Sequence, residues 1–441
     1  MVWKRTAIYL FFILNIWAIL SIWWPYSGKL LLYGDLASIL VSLANLAALL
    51  AVFLILTQIV LVGRVKWVER VFGLDKLWRW HHVIGLAIPF LIVAHPLFLS
   101  IGRAMKAGRG TWSQFLIYVT KWPDVYLALV AAALFLILIV WAYFLVKKKI
   151  NYEWWFIGHL LMYAAIVFAV FHQLGSTDDL NDGWQMIYWY AIYIFAFGNL
   201  ILFRFVMPVY RTLRHGFVVD RLERETADTV SIYISGRNLD KYPIKAGQFM
   251  IFRFIDRNRW WQAHPFSIST APNGKFLRIT VKALGDYTSK LSDLKPGTKV
   301  LIDGPHGTFT LDRTYKNKLL MIAGGVGVTP IRSLFEQAIK DKMDTCVIYA
   351  ARDKPQACLN DELSELAASC KAPMHCVLSD QTDWQGEKGF VDEERLRRLV
   401  TDIKERDVYF CGPQPMLKSV LAILKKMGVP DRQVHYEKFS L

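Results

Sequence analysis

Six runs of apolar residues fill the first 210 positions, near 6–24, 36–62, 82–101, 125–146, 154–174 and 185–207. Each approaches or exceeds the roughly 20 residues that a helix needs to cross the hydrocarbon of a bilayer. Lipid offers no partner for a free amide or carbonyl, so such runs must close their hydrogen bonds internally, as helices. The first run follows Lys4 and Arg5. Its apolar stretch is too long for a secretion signal and no small-x-small cleavage site follows, so it reads as an uncleaved span. The second half has the composition of a soluble α/β protein.

The net charge of +16 is what basic residues flanking membrane spans produce. No nucleic-acid recognition motif accompanies it, and binding to nucleic acid is not expected. Lys4 and Arg5, then Arg64, Lys66, Arg70, Lys76 and Arg79, then Lys147, Lys148 and Lys149, then Arg211 and Arg214 all fall on one side if the chain crosses six times. Asp178, Asp179 and Asp182 fall on the other. The positive side is cytoplasmic, which puts the N-terminus and the soluble half there, in a cell membrane. One loop disagrees: Arg103, Lys106, Arg109 and Lys121 lie outside. All five cysteines, Cys346, Cys358, Cys370, Cys376 and Cys411, are in the soluble half with no C-x-x-C pair, which suits a reducing compartment and disfavours zinc or iron–sulfur ligation.

Ionisable side chains in apolar helices mark function. His81, His82 and His95 bracket the third run, and His159 and His172 bracket the fifth. Both runs cross in the same direction, so first histidine faces first and second faces second. The members of each run are about 20 Å apart along the axis. Two facing imidazoles can fill both axial positions of a haem iron, so the pairs His81 or His82 with His159, and His95 with His172, are expected to hold two stacked b-type haems. Fourteen steps separate His81 from His95 and leave them about 40° apart on the helix; thirteen leave His82 about 140° away, which favours His81. His159 to His172 is also thirteen steps, and simple helical phase does not aim both rings one way.

The chain resembles the ferric reductase and NADPH oxidase superfamily, especially the compact bacterial NADPH oxidases. There the third and fifth helices each give two haem ligands, at spacings of 14 and 13, with an H-x-x-x-G pattern that His81 and Gly85 match. The implied fold is a six-transmembrane-helix bundle (residues 1–210), an antiparallel β-barrel FAD domain (216–314) and an α/β parallel-sheet NAD(P)H domain (317–441).

The soluble half agrees. Short β-rich runs such as "TVSIYISG", "FMIFRFI" and "FLRITVKAL", broken by Gly, Pro and Asn, predict a small antiparallel barrel. Within it lie "HPFSIST", "VKALGDYTSKL" and a glycine-rich turn "DGPHGTF" at Gly304 and Gly307. In that order they resemble the flavin domain of ferredoxin reductases. The resemblance gives His264, Pro265, Phe266 and Ser267 to the isoalloxazine and adjoining phosphate, and Lys282, Gly285, Thr288 and Ser289 to the pyrophosphate. His264 stands where soluble relatives have Arg, as in the NADPH oxidases.

"KLLMIAGGVGVTPIRSLFEQAIK" predicts a buried strand, a turn at Gly324, Gly325 and Gly327, and a helix opened by Thr329 and Pro330, whose free amides suit a pyrophosphate. Arg352, ending the next strand, would grip a 2′-phosphate and favour NADPH over NADH. In the family, Cys411 with Gly412 and Pro413 lies beside the nicotinamide, and a near-terminal aromatic, here Phe439, covers the flavin. The expected enzyme passes electrons from NADPH through FAD and two haems to an acceptor on the far side, O2 giving superoxide. A ferric or cupric chelate, or a separate partner protein, is the alternative acceptor.

Overall fold

The computed structural model describes residues 2–146, 152–175, 180 and 183–438. Lys147, Lys148, Lys149, Asp178, Asp179, Asp182 and Phe439, used above, lie outside the described residues. The chain divides into two compact units, Met1–Phe203 and Arg204–Leu441.

The first unit is helical. Its helices are α1 (Val2–Trp23), α2 (Leu30–Tyr33), α3 (Leu36–Val62), α4 (Lys66–Phe72), α5 (Leu74–Lys106), α6 (Thr111–Lys121), α7 (Pro123–Val146), α8 (Tyr152–His159), α9 (Leu161–Gly175) and α10 (Trp184–Ile201). Six stretches are long and apolar enough to cross a membrane: Trp3–Gly28, Leu36–Val62, Leu74–Lys106, Asp124–Phe144, Trp154–Gln173 and Trp184–His215. All six expected runs are there. Large apolar side chains such as Phe90, Ile187 and Ile194 face outward, an arrangement that lipid rewards and water does not. Inside, Ile55, Ile59, Ile88, Phe135, Ile166 and Leu200 form one buried cluster.

The third span differs from expectation. Helix α5 starts at Leu74, two turns before 82, because "LDKLWRW" continues the helix past the apolar run. His81 and His82 therefore lie within the helix rather than at its mouth. The fifth span is interrupted at Leu160, between α8 and α9. There Leu160 N donates to Phe156 O and Ile157 O, and Tyr163 N donates to Leu160 O. The bonds to Ile157 O and Leu160 O are i→i−3 and tighten the turn, and each residue so wound advances the phase about 20° further than an α-helix would. That is the direction the thirteen-step spacing of His159 and His172 needs.

The second unit begins with α11 (Met207–His215) and has two lobes. The strands of the first are β1 (Val218–Thr226), β2 (Thr229–Ser235), β3 (Phe249–Ile255), β4 (His264–Ser267), β5 (Leu277–Lys282) and β6 (Lys299–His306). They pair antiparallel in the order β4-β3-β6-β1-β2-β5. A bridge from Ile268 to Ile279 joins the two ends of that order and closes a barrel around Ile232, Phe252, Phe254, Ile279 and Ile302. Gly304 lies inside β6 rather than in a turn; the turn comes at Gly307.

The second lobe has strands β7 (Lys318–Gly324), β8 (Asp344–Ala351), β9 (Met374–Leu378), β10 (Glu387–Lys388), β11 (Asp407–Gly412) and β12 (Val434–Lys438). They form a parallel sheet ordered β10-β9-β8-β7-β11-β12. Helices α12 (Val328–Lys340), α13 (Asn360–Cys370), α14 (Glu393–Leu399) and α15 (Gln414–Lys426) connect the strands. The chain runs outward from β7 to β10, then returns to place β11 on the other side of β7. This reversal is the switch point at which open α/β sheets bind ligands.

Candidate functional site

In the first unit, α5 and the α8–α9 pair set four imidazoles facing in two tiers. The His81 and His159 ring centres are 6.3 Å apart, with planes at 81°. Those of His95 and His172 are 6.4 Å apart, at 57°. Metal–imidazole bonds of about 2.0 Å on either side of one ion would set two ring centres about 6.2 Å apart. Both gaps have that width. His82 is exposed and, among the described residues, pairs with no ring, whereas His81 faces His159. One turn on from His81, a Cβ at Gly85 would meet only Gln58 Nε2, at 3.2 Å; Gln58 Nε2 itself donates to His81 O at 2.8 Å.

The two tiers differ in what holds the rings. His95 Nδ1 is 2.9 Å from Ala44 O, and His172 Nδ1 is 3.1 Å from Asp124 Oδ2. A carbonyl and a carboxylate accept only, so both Nδ1 atoms donate and both Nε2 atoms keep a lone pair for a metal. His81 Nδ1 and His159 Nδ1 are buried with no hydrogen-bond partner among the described residues. Among the described residues no group of three or more His, Cys, Asp or Glu is placed to hold a metal ion. Each tier offers two facing imidazoles.

In the barrel lobe the two flavin motifs meet. The His264 ring stacks on Tyr287 at 3.8 Å, joining "HPFSIST" to "GDYTSKL". Pro265 and Phe266 share β4 with His264, and Ser267 is buried opposite Phe249. Lys282 Nζ is 3.2 Å from Asp228 Oδ2. Thr288 Oγ1 accepts from the amides of Leu284 and Gly285, and Ser289 Oγ donates to Asp286 O. The Gly285–Ser289 turn is thus internally bonded, with Asp286 and Ser289 exposed and Tyr287 buried. Beside Tyr287 lies a cavity of ≈ 720 Å³, lined by Arg257, Trp261, Lys290 and Lys295 among others. Sequence reading missed these; the basic–aromatic run "DRNRWW" just before the first motif was the available signal.

The parallel lobe assembles its site at the switch point. The turn Gly325–Gly327 follows β7 and leads into α12, with Thr329 Oγ1 donating to Val326 O. Thr329 and Pro330 are buried in the first turn. A Cβ at Gly327 would come within 2.3 Å of Cys411 O, and one at Gly412 within 3.1 Å of Gly324. Glycine is therefore what lets the turn after β7 and the Cys411-Gly412-Pro413 corner after β11 touch. A Cβ at Gly324 would likewise come within 2.6 Å of Met416 Sδ and 2.9 Å of Pro413 Cδ. Cys411 is fully buried, and that burial holds its thiol well above the ordinary range. It acts as a small neutral side chain, not as a nucleophile. Arg352 is exposed just beyond the end of β8. The terminal strand β12 was not expected from the sequence; it runs beside β11, setting Glu437 opposite Cys411.

Two sets of contacts fix the lobes on each other. Glu336 on α12 accepts from Thr270 Oγ1 at 2.9 Å and Ala271 N at 2.8 Å, and Ser333 Oγ donates to Thr270 O. The end of the first flavin motif is thereby clamped to the helix that opens at the glycine turn. Arg278 on β5 is buried and grips both carboxylate oxygens of Glu362 on α13 at 2.6 and 2.9 Å.

Residues 47–170 match the family described as a ferric reductase like transmembrane component, residues 217–310 an FAD-binding domain, and residues 321–421 an oxidoreductase NAD-binding domain. The chain is 29% identical to a flavohemoprotein of Halalkalibacterium halodurans over 290 residues, 60% of this chain and 70% of that one. It is 26% identical to a flavohemoprotein of Bacillus subtilis over 235 residues, 51% of this chain and 59% of the relative. Among solved structures, the flavohem-like FAD/NAD binding domain of nitric oxide dioxygenase from Vibrio cholerae O1 biovar El Tor covers 51% of this chain and 97% of its own, with 24% identity and a TM-score of 0.46.

Proposed function

We infer that this chain, which has the domain architecture of the ferric reductases and NADPH oxidases, is a transmembrane oxidoreductase that carries electrons from NADPH through FAD and two b-type haems to O2, giving superoxide on the far side of a cell membrane. The observation that carries the haem assignment is the pair of imidazole tiers at 6.3 and 6.4 Å. A bare zinc ion takes three or four protein ligands. A haem iron already has four, and asks the protein only for the two axial nitrogens that each tier offers.

When bound, nicotinamide supplies two electrons as a hydride, flavin accepts the pair and releases it singly, and haem iron takes one at a time. The residues of this chain supply position and environment. The amides of the glycine turn and the N-terminus of α12 face the switch point, where they favour the pyrophosphate of the dinucleotide. The Cys411-Gly412-Pro413 corner bounds the same crevice and offers no acid–base group of its own. Arg352, exposed beyond β8, provides a guanidinium for a 2′-phosphate. His264 and Tyr287 present a stacked ring surface for the flavin, and Ser333 and Glu336 keep that surface in register with the crevice. His81 with His159, and His95 with His172, would hold the haems. Phe439, outside the described residues, remains assigned to the flavin face.

A second reading has one observation in its favour. Arg103, Lys106, Arg109 and Lys121 are exposed around the end of α5 and on α6, beyond the His95 tier, and a basic surface attracts an anionic acceptor such as a ferric chelate. The test is turnover of the purified, FAD-loaded, full-length protein with NADPH in air. Dismutase-sensitive dye reduction that exceeds ferric-chelate reduction supports the oxidase. Chelate reduction that dominates in air, with no dismutase-sensitive signal, overturns it in favour of the metalloreductase.

A further inference from the structure

The two imidazole tiers are alike in spacing and unlike in support. Both Nδ1 atoms of the His95–His172 tier have an acceptor, and one of those acceptors is a carboxylate. Asp124 sits in the first turn of α7, where the helix dipole favours a negative side chain. Its Oδ2 is 3.1 Å from His172 Nδ1, with both side chains about one-fifth exposed. The partner of His95 is a neutral backbone carbonyl, Ala44 O. The Nδ1 atoms of His81 and His159 have no partner among the described residues.

A carboxylate that takes a hydrogen bond from a ligating imidazole raises the basicity of the ring's other nitrogen and fixes its orientation. A more basic axial ligand, with a negative charge beside it, stabilises the more positive ferric iron over the ferrous. The effect belongs to one tier only. We infer that Asp124 is a positioning residue for the outer haem ligand: by holding His172 through its Nδ1–H it makes the outer haem the lower-potential, more reducing of the two. This rests on the haem reading above. It gives the exit end of the path the stronger drive to reduce an external acceptor. An inside-negative membrane potential would offset the uphill step between haems, since it drives an electron outward.

The test is an anaerobic spectroelectrochemical titration of full-length, haem-loaded protein. Wild type is expected to show two one-electron waves, and His172→Leu to lose the lower one. Asp124→Asn is expected to raise that wave by roughly a tenfold change in the ferric–ferrous ratio, about 59 mV for one electron, with the other wave unmoved. Asp124→Glu should restore it. The proposal is overturned if Asp124→Asn moves neither wave, or moves both equally. It is equally overturned if His172→Leu removes the higher wave, a result that does not need the Asp124 variants to fold. Wild-type protein with no haem bands would instead sink the haem reading itself, and Asp124 with it.

Discussion

His81 and His159 face each other across 6.3 Å from helices that cross in the same direction, a gap that accommodates one iron held by two nitrogens. His95 and His172 repeat the relationship at 6.4 Å. If each pair holds one haem, the pairs must fail independently. His81→Leu or His159→Leu should leave one haem per chain where wild type has two, and so should His95→Leu or His172→Leu. Haem-to-protein ratio after extraction into pyridine checks this. His82→Leu should leave the ratio at two.

Gly327 gives the nucleotide crevice its second test. Its place against Cys411 O leaves no room for a side chain, and crowding at such a contact costs about 1–3 kcal/mol. Gly327→Val should retain FAD, since the contact it crowds is with Cys411 O in the nucleotide lobe, while slowing flavin bleaching by NADPH at least tenfold in stopped flow.

The ion pair between lobes should be worth more than a surface bridge. Arg278 is 4% exposed and Glu362 33%. The guanidinium's preference for its charged form is raised, against the cost of burial, mainly by Glu362. Glu362→Gln strands that charge and should cost about 2–3 kcal/mol, between the values for exposed and fully buried pairs. Arg278→Met with Glu362→Leu should cost less than either single change. Loss of flavin fluorescence quenching on urea titration is the readout.

Acid should weaken the same unit through His435. Its Nε2 is 2.8 Å from Asp407 Oδ1, and its ring stacks on Tyr409 at 4.6 Å. Burial lowers its pKa below the ordinary value of 6.5, although Asp407 pulls the other way. The unfolded chain then binds the proton more readily than the folded one. The stability from this site is present above about pH 6.5 and is lost as pH falls from there toward the folded value. Urea midpoints between pH 8 and 5.5 should show that slope, and His435→Gln should flatten it.

Much of this was legible in the sequence. Apolar runs of fixed length gave the six spans, because lipid admits few other solutions. The order strand, glycine turn, Pro-opened helix marked the switch point, because only glycine fits where the chain passes Cys411. What escaped depended on contacts distant in sequence. Asp124 reads as one acid at the start of an apolar helix; its meaning appears only when His172, 48 residues on, comes beside it. The break at Leu160, which bears on the thirteen-residue spacing, has no Pro to announce it, and Gly158, two residues before, is a residue that membrane helices commonly carry. Glu336 and Ser333 look like the ordinary polar face of a helix until Thr270 and Ala271 dock there. Strand β12 is short and ends in charged residues, so only its pairing with β11 identifies it.

The central claim is that one chain links nicotinamide oxidation to haem reduction across a membrane. It is tested most directly by the visible spectrum of the purified, FAD-supplemented protein under argon, before and after NADPH, and then on admitting air. The account predicts sharp reduced b-type bands that appear with NADPH, with an intensity of two haems per chain, and that vanish in air. Flavin that bleaches with NADPH while no haem bands appear, in folded protein supplied with haem during expression, would contradict it.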